Sequence, residues 1–100
     1  MILQLYSVYD VKACSYGNPM VMRSDGEATR AFAREVNDPR TDNLINSNPA
    51  DFSLYRIAEW YPDEGAVVAN GANIPLLVTT ALSVLNPPLA PALPVLNPPL

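Results

Sequence analysis

The feature that most limits how this chain can fold is an abrupt change in composition at Gly65. All 16 charged residues and all eight aromatic residues precede it, and residues 65–100 contain neither kind. The end of the chain also contains the segment VLNPPL twice, at 84–89 and 95–100, with six prolines between positions 87 and 99. Because proline lacks an amide hydrogen and has a fixed φ, we expect polyproline II there rather than helix or sheet. The chain is thus predicted to form an α+β domain, residues 1–85, and an extended proline-rich tail, residues 86–100.

The uncharged segment is too interrupted to cross a membrane. Its longest usable apolar run, Ile74–Leu85, has 12 residues, whereas a spanning helix needs about 20. Met1–Tyr9 lacks the basic residues of a secretory signal, and a lone cysteine, Cys14, excludes an intrachain disulfide. A free thiol is typical of a reducing compartment. These features predict a cytoplasmic protein with no membrane partner.

Local patterns in the first 85 residues predict an α+β fold. Period-two alternation and turn sequences indicate about four strands in a small antiparallel sheet. Apolar residues at helical spacing indicate one helix, and Pro75 at a first helical turn indicates a second, so that one or two helices pack on the sheet. The predicted order is ββαββα, with strands at Ile2–Tyr9, Met20–Met22, Phe52–Tyr61 and Ala66–Ala69, helices at Asp25–Asn37 and Pro75–Leu85, and a polar loop at Arg40–Asn48.

The start of the first helix has the clearest local signal. Ser24 and Glu27 have the spacing of a capping box, in which the serine hydroxyl and the glutamate carboxylate each accept a hydrogen bond from an amide at the helix start. After them comes a single apolar stripe, as expected for a helix that packs on a sheet. The stripe consists of Ala28, Ala31, Phe32 and Val36.

Both faces of the long predicted strands are apolar. A single helix covers only one face of a sheet, and an uncovered apolar face of this size is unusual on a monomer. We therefore expect either the helix Pro75–Leu85 or a second copy of the chain, in a homo-oligomer, to cover the other face. In the first strand, Ile2, Tyr6 and Val8 alternate with Leu3, Leu5 and Tyr9; in the later strand, Phe52, Leu54, Arg56, Ala58 and Trp60 share one face.

Four basic residues are candidates for contact with nucleic acid. The net charge of −4 disfavours strong binding to phosphates, so we expect any contact to be local and weak. Arg30 and Arg34 are four residues apart on the predicted helix, where like charges repel. A phosphate would relieve this repulsion, and so would ion pairs with Glu27 and Asp38. The candidate residues are Lys12, Arg23, Arg30 and Arg34.

The aromatic residues of the predicted strands have two interpretations. Many proteins that bind single strands stack bases on sheet aromatics. A body of this size, however, needs most of its apolar residues for a core. The residues concerned are Tyr6, Tyr9, Phe52, Tyr55, Trp60 and Tyr61.

The residue types argue against catalysis. The chain has no histidine, which removes the commonest metal ligand and the usual general base. Cys14 has no candidate base near it in the sequence, and most carboxylates lie beside turns, where aspartate shapes the backbone. We therefore expect no enzyme activity, no metal and no cofactor.

The repeat in the tail predicts a docking segment. Each Val or Leu side chain that becomes fully buried contributes about 1.5–3 kcal/mol, and the prolines lower the cost of ordering the chain. Two copies would offer equivalent anchors to a protein partner with a repeated or symmetric surface; an accidental low-complexity extension is the alternative. The predicted partner-binding residues are Val84, Leu85, Leu89, Val95, Leu96 and Leu100.

Several segments resemble the small nonstructural protein of gokushovirus-type microviruses, the icosahedral single-stranded DNA phages. They are YSVYDVKA at 6–13, SDGEATRAF at 24–32, VND at 36–38 and NPADFSLYRIAE at 48–59, and the resemblance spans residues 2–85. It implies a role in phage DNA replication, or in the switch to single-strand synthesis and packaging, inside the infected bacterium. The uncharged repeat after Leu85 departs from the family's pattern.

The residues and the resemblance together predict a nonenzymatic phage accessory protein. We expect it to act in the control of viral DNA replication or in single-stranded DNA packaging, through protein contacts and weak DNA contact in the host bacterial cytoplasm. The alternative is a virion-associated structural protein whose proline-rich tail docks on the capsid. Detection of the protein in purified virions would favour the alternative.

Overall fold

Two long antiparallel strands form the centre of the sheet. Strand β1, Leu3–Asp10, pairs along its length with β4, Phe52–Tyr61. The computed structural model describes residues 1–86, and in that range four shorter strands join the central pair. They are β2 (Ser15–Tyr16) and β3 (Met20–Met22) beside β1, and β5 (Ala66–Ala69) and β6 (Leu76–Thr80) beside β4. The predicted antiparallel sheet is confirmed, with six strands rather than four.

Short helices complete the α+β fold. Within residues 1–86 they are α1 (Asp25–Val36), α2 (Leu44–Ser47) and α3 (Ala81–Val84), together with 3₁₀ turns at Pro49–Asp51 and Gly71–Asn73. No helix in this range has the length and apolar character needed to cross a membrane. The predicted tail, apart from Asn86, lies outside the described residues.

Helix α1 begins at the predicted capping box. The Ser24 hydroxyl accepts a hydrogen bond from the Glu27 amide at 3.1 Å. The Glu27 carboxylate accepts one from the amide of Arg23, at 2.8 Å, rather than from that of Ser24. The two side chains therefore fix the entry of the chain into α1, as the sequence predicts, with the glutamate reaching one residue further back.

The core lies between α1 and one face of the sheet. Ala28, Phe32 and Val36 of the predicted stripe are buried there, and Tyr6 and Leu54 of the central strands are fully buried against them. Phe52 and Ala81 close the same cluster. The prediction that one apolar stripe of the helix packs on the sheet is confirmed.

A β-bulge in β4 changes which side chains share a face. Leu5 pairs with Ala58, but the next residue, Tyr6, pairs with Arg56, so Ile57 is an extra residue in β4. Because side chains alternate along a strand, one extra residue exchanges the faces beyond it. The prediction that five residues of β4 share one face is therefore wrong: Phe52, Leu54 and Arg56 face α1, whereas Ala58 and Trp60 lie on the opposite face.

The predicted helix at Pro75–Leu85 is also wrong. Leu76–Thr80 forms strand β6, and only Ala81–Val84 is helical. Val78, Thr79 and Thr80 are β-branched, which favours a strand, and Pro75 precedes the strand, where its missing amide hydrogen breaks no ladder bond. Since α3 packs beside α1, this segment does not cover the second face of the sheet.

The predicted polar loop at Arg40–Asn48 contains helix α2. The Asn43 side chain accepts a hydrogen bond from the Ile45 amide at 3.1 Å and so caps the helix. Its amide nitrogen donates to the carbonyls of Glu35, at 2.7 Å, and Asp38, at 2.9 Å. Asn43 is almost fully buried, so these bonds fasten α2 to the end of α1.

Candidate functional site

The outer surface of α1 presents two exposed arginines. Ala28, Phe32 and Val36 face the sheet, and Arg30 and Arg34 project from the opposite side of the helix. Their guanidinium groups are neighbours on this surface because residues four apart lie one turn apart. Within residues 1–86, neither arginine forms an ion pair with a carboxylate.

The two carboxylates that the sequence offers to these arginines are bound elsewhere. Glu27 pairs with Arg23, with 3.5 Å between Arg23 Nη2 and Glu27 Oε2. The hydrogen bond from the Arg23 amide is the main cause that lowers the pKa of Glu27, and the charge of Arg30 adds to it from further away. Asp38 pairs with Arg40. The ion-pair interpretation of Arg30 and Arg34 is therefore not realised in this structure.

Arg40 is the centre of a separate acidic cluster. Its Nη2 lies 2.7 Å from Glu35 Oε2, and its Nε lies 3.2 Å from Asp42 Oδ1. Hydrogen bonds to Glu35 and Asp38 raise the pKa of Arg40 further above its already high value, so it stays charged. This cluster takes up three carboxylates near the end of α1 and leaves none for Arg34.

The four predicted DNA-contact residues do not form one group. Arg23 lies immediately before α1 and is highly exposed, although its guanidinium contacts Glu27. Lys12 lies in the turn after β1, where its amide donates to Asp10 Oδ1 at 2.9 Å, and it lines a depression with Leu44 of α2. The candidate site is thus Arg30 and Arg34, with Arg23 beyond the amino end of the helix and Lys12 apart from it.

The face of the sheet opposite α1 is a second candidate surface. The helices of residues 1–86 pack on the core face, and the strand register places a set of apolar side chains on the other one. None of the described strand residues on that side is charged. We term this surface the open face; its principal residues are Leu3, Leu5, Tyr9, Tyr16, Tyr55 and Trp60.

Three tyrosines cluster at one end of the open face. The ring centroids of Tyr9 and Tyr16 are 4.7 Å apart, and those of Tyr16 and Tyr55 are 5.6 Å apart. The rings of Tyr9 and Tyr55 meet edge to face at 6.3 Å. Partial burial, together with the neighbouring Tyr55 and Tyr9, raises the pKa of Tyr16. Even so, 43% of Tyr16 is exposed, so the cluster offers aromatic surface to a ligand.

The structure divides the strand aromatics between the core and the open face. Tyr6 and Phe52 belong to the core, and the Tyr61 hydroxyl donates to Glu59 at 3.0 Å. Tyr9, Tyr55 and Trp60 lie on the open face. Sequence reasoning missed Tyr16, because a two-residue strand shows no alternation; the turn sequence that follows it was the one available signal.

The predicted partner-binding residues are divided by the structure. Val84 and Leu85 are half-buried against the core. The Val84 carbonyl accepts a hydrogen bond from the Asn37 side chain at 3.0 Å. The others, Leu89, Val95, Leu96 and Leu100, lie outside the described residues.

Comparison with known proteins gives one match. A family model described as Phage ORF5 protein matches residues 3–84. This range contains β1 to β6 and the three helices, and it ends before the proline-rich tail. No curated protein and no solved structure is similar enough to the chain to count as a match.

Proposed function

This chain belongs to the Phage ORF5 protein family, and from that membership we propose that it is a nonenzymatic accessory protein in phage DNA replication control or single-stranded DNA packaging. It acts through protein partners from the phage or the host and through a weak contact with single-stranded DNA. The resemblance to the gokushovirus nonstructural protein supports the single-stranded DNA setting. The observation that carries the DNA contact is the pair Arg30 and Arg34, which have no carboxylate partner within residues 1–86.

The chemistry of this pair favours a phosphate ligand. Two guanidinium groups one helical turn apart repel each other by a few tenths of a kcal/mol, and a phosphate between them removes that cost and accepts hydrogen bonds from both. The outer surface of a helix is open and does not enclose the ligand. A flexible single strand can therefore bind there without being deformed. Few contacts and a net charge of −4 keep the affinity low.

Binding to a labelled single-stranded oligonucleotide, followed by fluorescence anisotropy over a range of salt, tests the proposal. Two to four phosphate contacts predict a slope of log K against log salt of about −1.4 to −2.8. The double variant Arg30→Glu and Arg34→Glu is expected to abolish measurable binding and, because both side chains are exposed, to leave the fold intact. Unchanged binding by this variant would show that the arginine pair is not the contact.

Two matched variants locate the contact. Arg30→Lys with Arg34→Lys keeps both charges and is expected to retain binding with a similar salt slope, because phosphate contact depends mainly on charge. Lys12→Gln tests the basic residue that lies apart from α1 and is expected to change the affinity less than the loss of either helix arginine. A larger effect at Lys12 would move the site to the turn after β1.

The partners of the protein distinguish the accessory role from the virion-associated structural role, the two roles considered from the sequence. Affinity capture from infected cells, with and without nuclease, distinguishes partners held directly from those bridged by DNA. For an accessory protein of replication or packaging, we expect partners in the cell and no copies in purified virions. A stoichiometric amount in virions would favour the virion-associated structural role.

A further inference from the structure

The open face lacks a covering layer within residues 1–86, although large parts of it are apolar. Tyr16 is 43% exposed, and Val67, which pairs with Trp60, is 59% exposed. Water therefore contacts aromatic and aliphatic surface on the side of the sheet opposite the core. A surface of this kind commonly binds an apolar partner.

The chemistry of the open face selects among ligands. Its described strand residues carry no charge, so they offer no cation that could bind the phosphates of a nucleic acid. Grooves lined by aromatic rings bind proline-rich segments in polyproline II conformation, because these segments are already extended and lose little entropy on docking. Residues 87–100 have the composition of such a segment, with six prolines and no charged side chain.

The described chain ends on the helix side of the sheet, six residues after a strand that borders the tyrosine cluster. Thr80, the last residue of β6, pairs with Ser53, which also pairs with Tyr9. After α3, the amide of Asn86 donates to Asn37 Oδ1 at 2.7 Å, on the helix side of the sheet. The 14 residues that follow span about 43 Å as polyproline II. Crossing from the helix side to the open face requires roughly 10–20 Å, the thickness of one to two packed layers. Pro87 and Pro88 follow Asn86 directly and are too close to it to reach that far, whereas Pro98 and Pro99, 12 and 13 residues after Asn86, are far enough along the tail to reach the open face.

We propose that residues 87–100 dock on the open face of their own molecule, with proline rings against Tyr9, Tyr16 and Tyr55. The leucines of the second VLNPPL copy, Leu96 and Leu100, then cover the apolar part of the face around Leu5 and Trp60. The body of the chain, rather than a capsid, is in this case the surface that the second copy recognises.

The single cysteine provides a direct test in the full-length chain. Cys14 is exposed and lies two residues before Tyr16, at the edge of the tyrosine cluster. A nitroxide attached to Cys14 of ¹⁵N-labelled protein is expected to cause loss of amide signal intensity at Leu89, Leu96 and other non-proline residues of the tail. Full tail intensity, equal to that of the reduced label, would overturn the proposal.

A mixed sample separates docking within one molecule from docking between copies. Unlabelled protein with the nitroxide is combined with ¹⁵N-labelled Cys14→Ser protein, in which only contacts between molecules cause signal loss. We expect no loss in this sample. Tail signal loss here, or a dimer in sedimentation, would assign the open face to a second copy and overturn the proposal.

Variants on both sides of the contact complete the test. Tyr9→Ser with Tyr55→Ser is expected to restore the tail signals, whereas Leu44→Ser, at an exposed apolar site on α2, leaves them weak. Should the tyrosine variant fail to fold, the double variant Pro98→Ala with Pro99→Ala alters only the tail. It is expected to restore the signals and to increase acrylamide quenching of Trp60, the only tryptophan. Unchanged signals and quenching in the proline variant would contradict the proposal.

Discussion

At the scale of single residues, Tyr6 shows how one buried polar group joins the sheet to the helix. Its hydroxyl donates to Asp25 Oδ1 at 2.7 Å, and Arg56 Nε lies 3.4 Å from the same oxygen. Burial, followed by the hydrogen bond to Asp25 and the charge of that carboxylate, raises the pKa of Tyr6 far above the ordinary tyrosine value. The folded protein therefore strongly favours the protonated phenol.

This shift predicts a loss of stability at high pH. The stabilisation is fully present below the unfolded-state pKa of about 10 and declines as the pH rises above it, since only the unfolded chain then ionises Tyr6 readily. At pH 7, Tyr6→Phe is expected to lower the free energy of unfolding by about 1 kcal/mol. Between pH 10 and 11, this variant is expected to lose less stability than the wild type. Urea unfolding across this range measures both effects. Tyr61→Phe removes a surface hydrogen bond to Glu59 that also raises the pKa of Tyr61, so it serves as the comparison and is expected to show a smaller effect of the same sign. Parallel curves for Tyr6→Phe and the wild type would contradict the prediction.

At the scale of elements, the sequence predicts best what local chemistry determines. The Ser24 cap, the stripe of α1 and the limits of β4 at Phe52 and Tyr61 all follow from patterns within a few residues. The bulge at Ile57 does not, because it depends on how β4 registers with β1, and it moves Ala58 and Trp60 to the other face. Strand β6 forms for a similar reason: its backbone pairs with β4, which outweighs the helix start that Pro75 indicates.

The same distinction applies to the candidate site. Exposure of Arg30 and Arg34 follows from the helical stripe alone. Their lack of ion-pair partners does not, because it depends on where Arg23 and Arg40 reach in three dimensions.

The helix cap gives a prediction at this scale. Ser24→Ala removes the acceptor of the Glu27 amide and is expected to destabilise the protein by about 0.5–2 kcal/mol. Ser24→Asp retains an acceptor and adds a negative charge at the amino end of α1, where it is favourable, so its stability is expected to stay close to that of the wild type. Urea unfolding followed by far-ultraviolet circular dichroism measures both. Equal losses in the two variants would show that the cap is not the source of the stability.

At the scale of the whole molecule, Asn37 connects the end of α1 to the last described residues. Its side-chain nitrogen donates to the carbonyls of Ala33, at 2.8 Å, and Val84, at 3.0 Å, and its oxygen accepts from the amide of Asn86. The Asn37 side chain thus caps the carboxyl end of α1 and also binds Val84 and Asn86, which lie 47 and 49 positions later in the chain. The uncharged segment from Gly65 to Asn86 is consequently integrated with the charged part of the chain through β5, β6 and α3.

Removal of this connection is expected to destabilise the fold. Asn37→Ala leaves the Val84 carbonyl and the Asn86 amide without their partner, at a cost of about 1–3 kcal/mol. Amide hydrogen exchange at Asn86 is expected to accelerate in this variant. Asn48→Ala, which removes a longer, exposed hydrogen bond to the Leu44 carbonyl, is the control and is expected to cost less. Unchanged exchange at Asn86 would show that other contacts hold this segment.

The composition of β5 and β6 has a consequence for self-association. These strands form the outer edge of the sheet beside β4, and neither contains a charged residue. Natural sheets commonly place lysine or another charge on such an edge, which prevents a further strand from adding to it. In this protein, strand addition is limited by the short length of β5 and β6, four and five residues, and by Pro75 directly before β6. When the protein is concentrated, we expect fibrous or amorphous aggregation to start by strand addition at this edge.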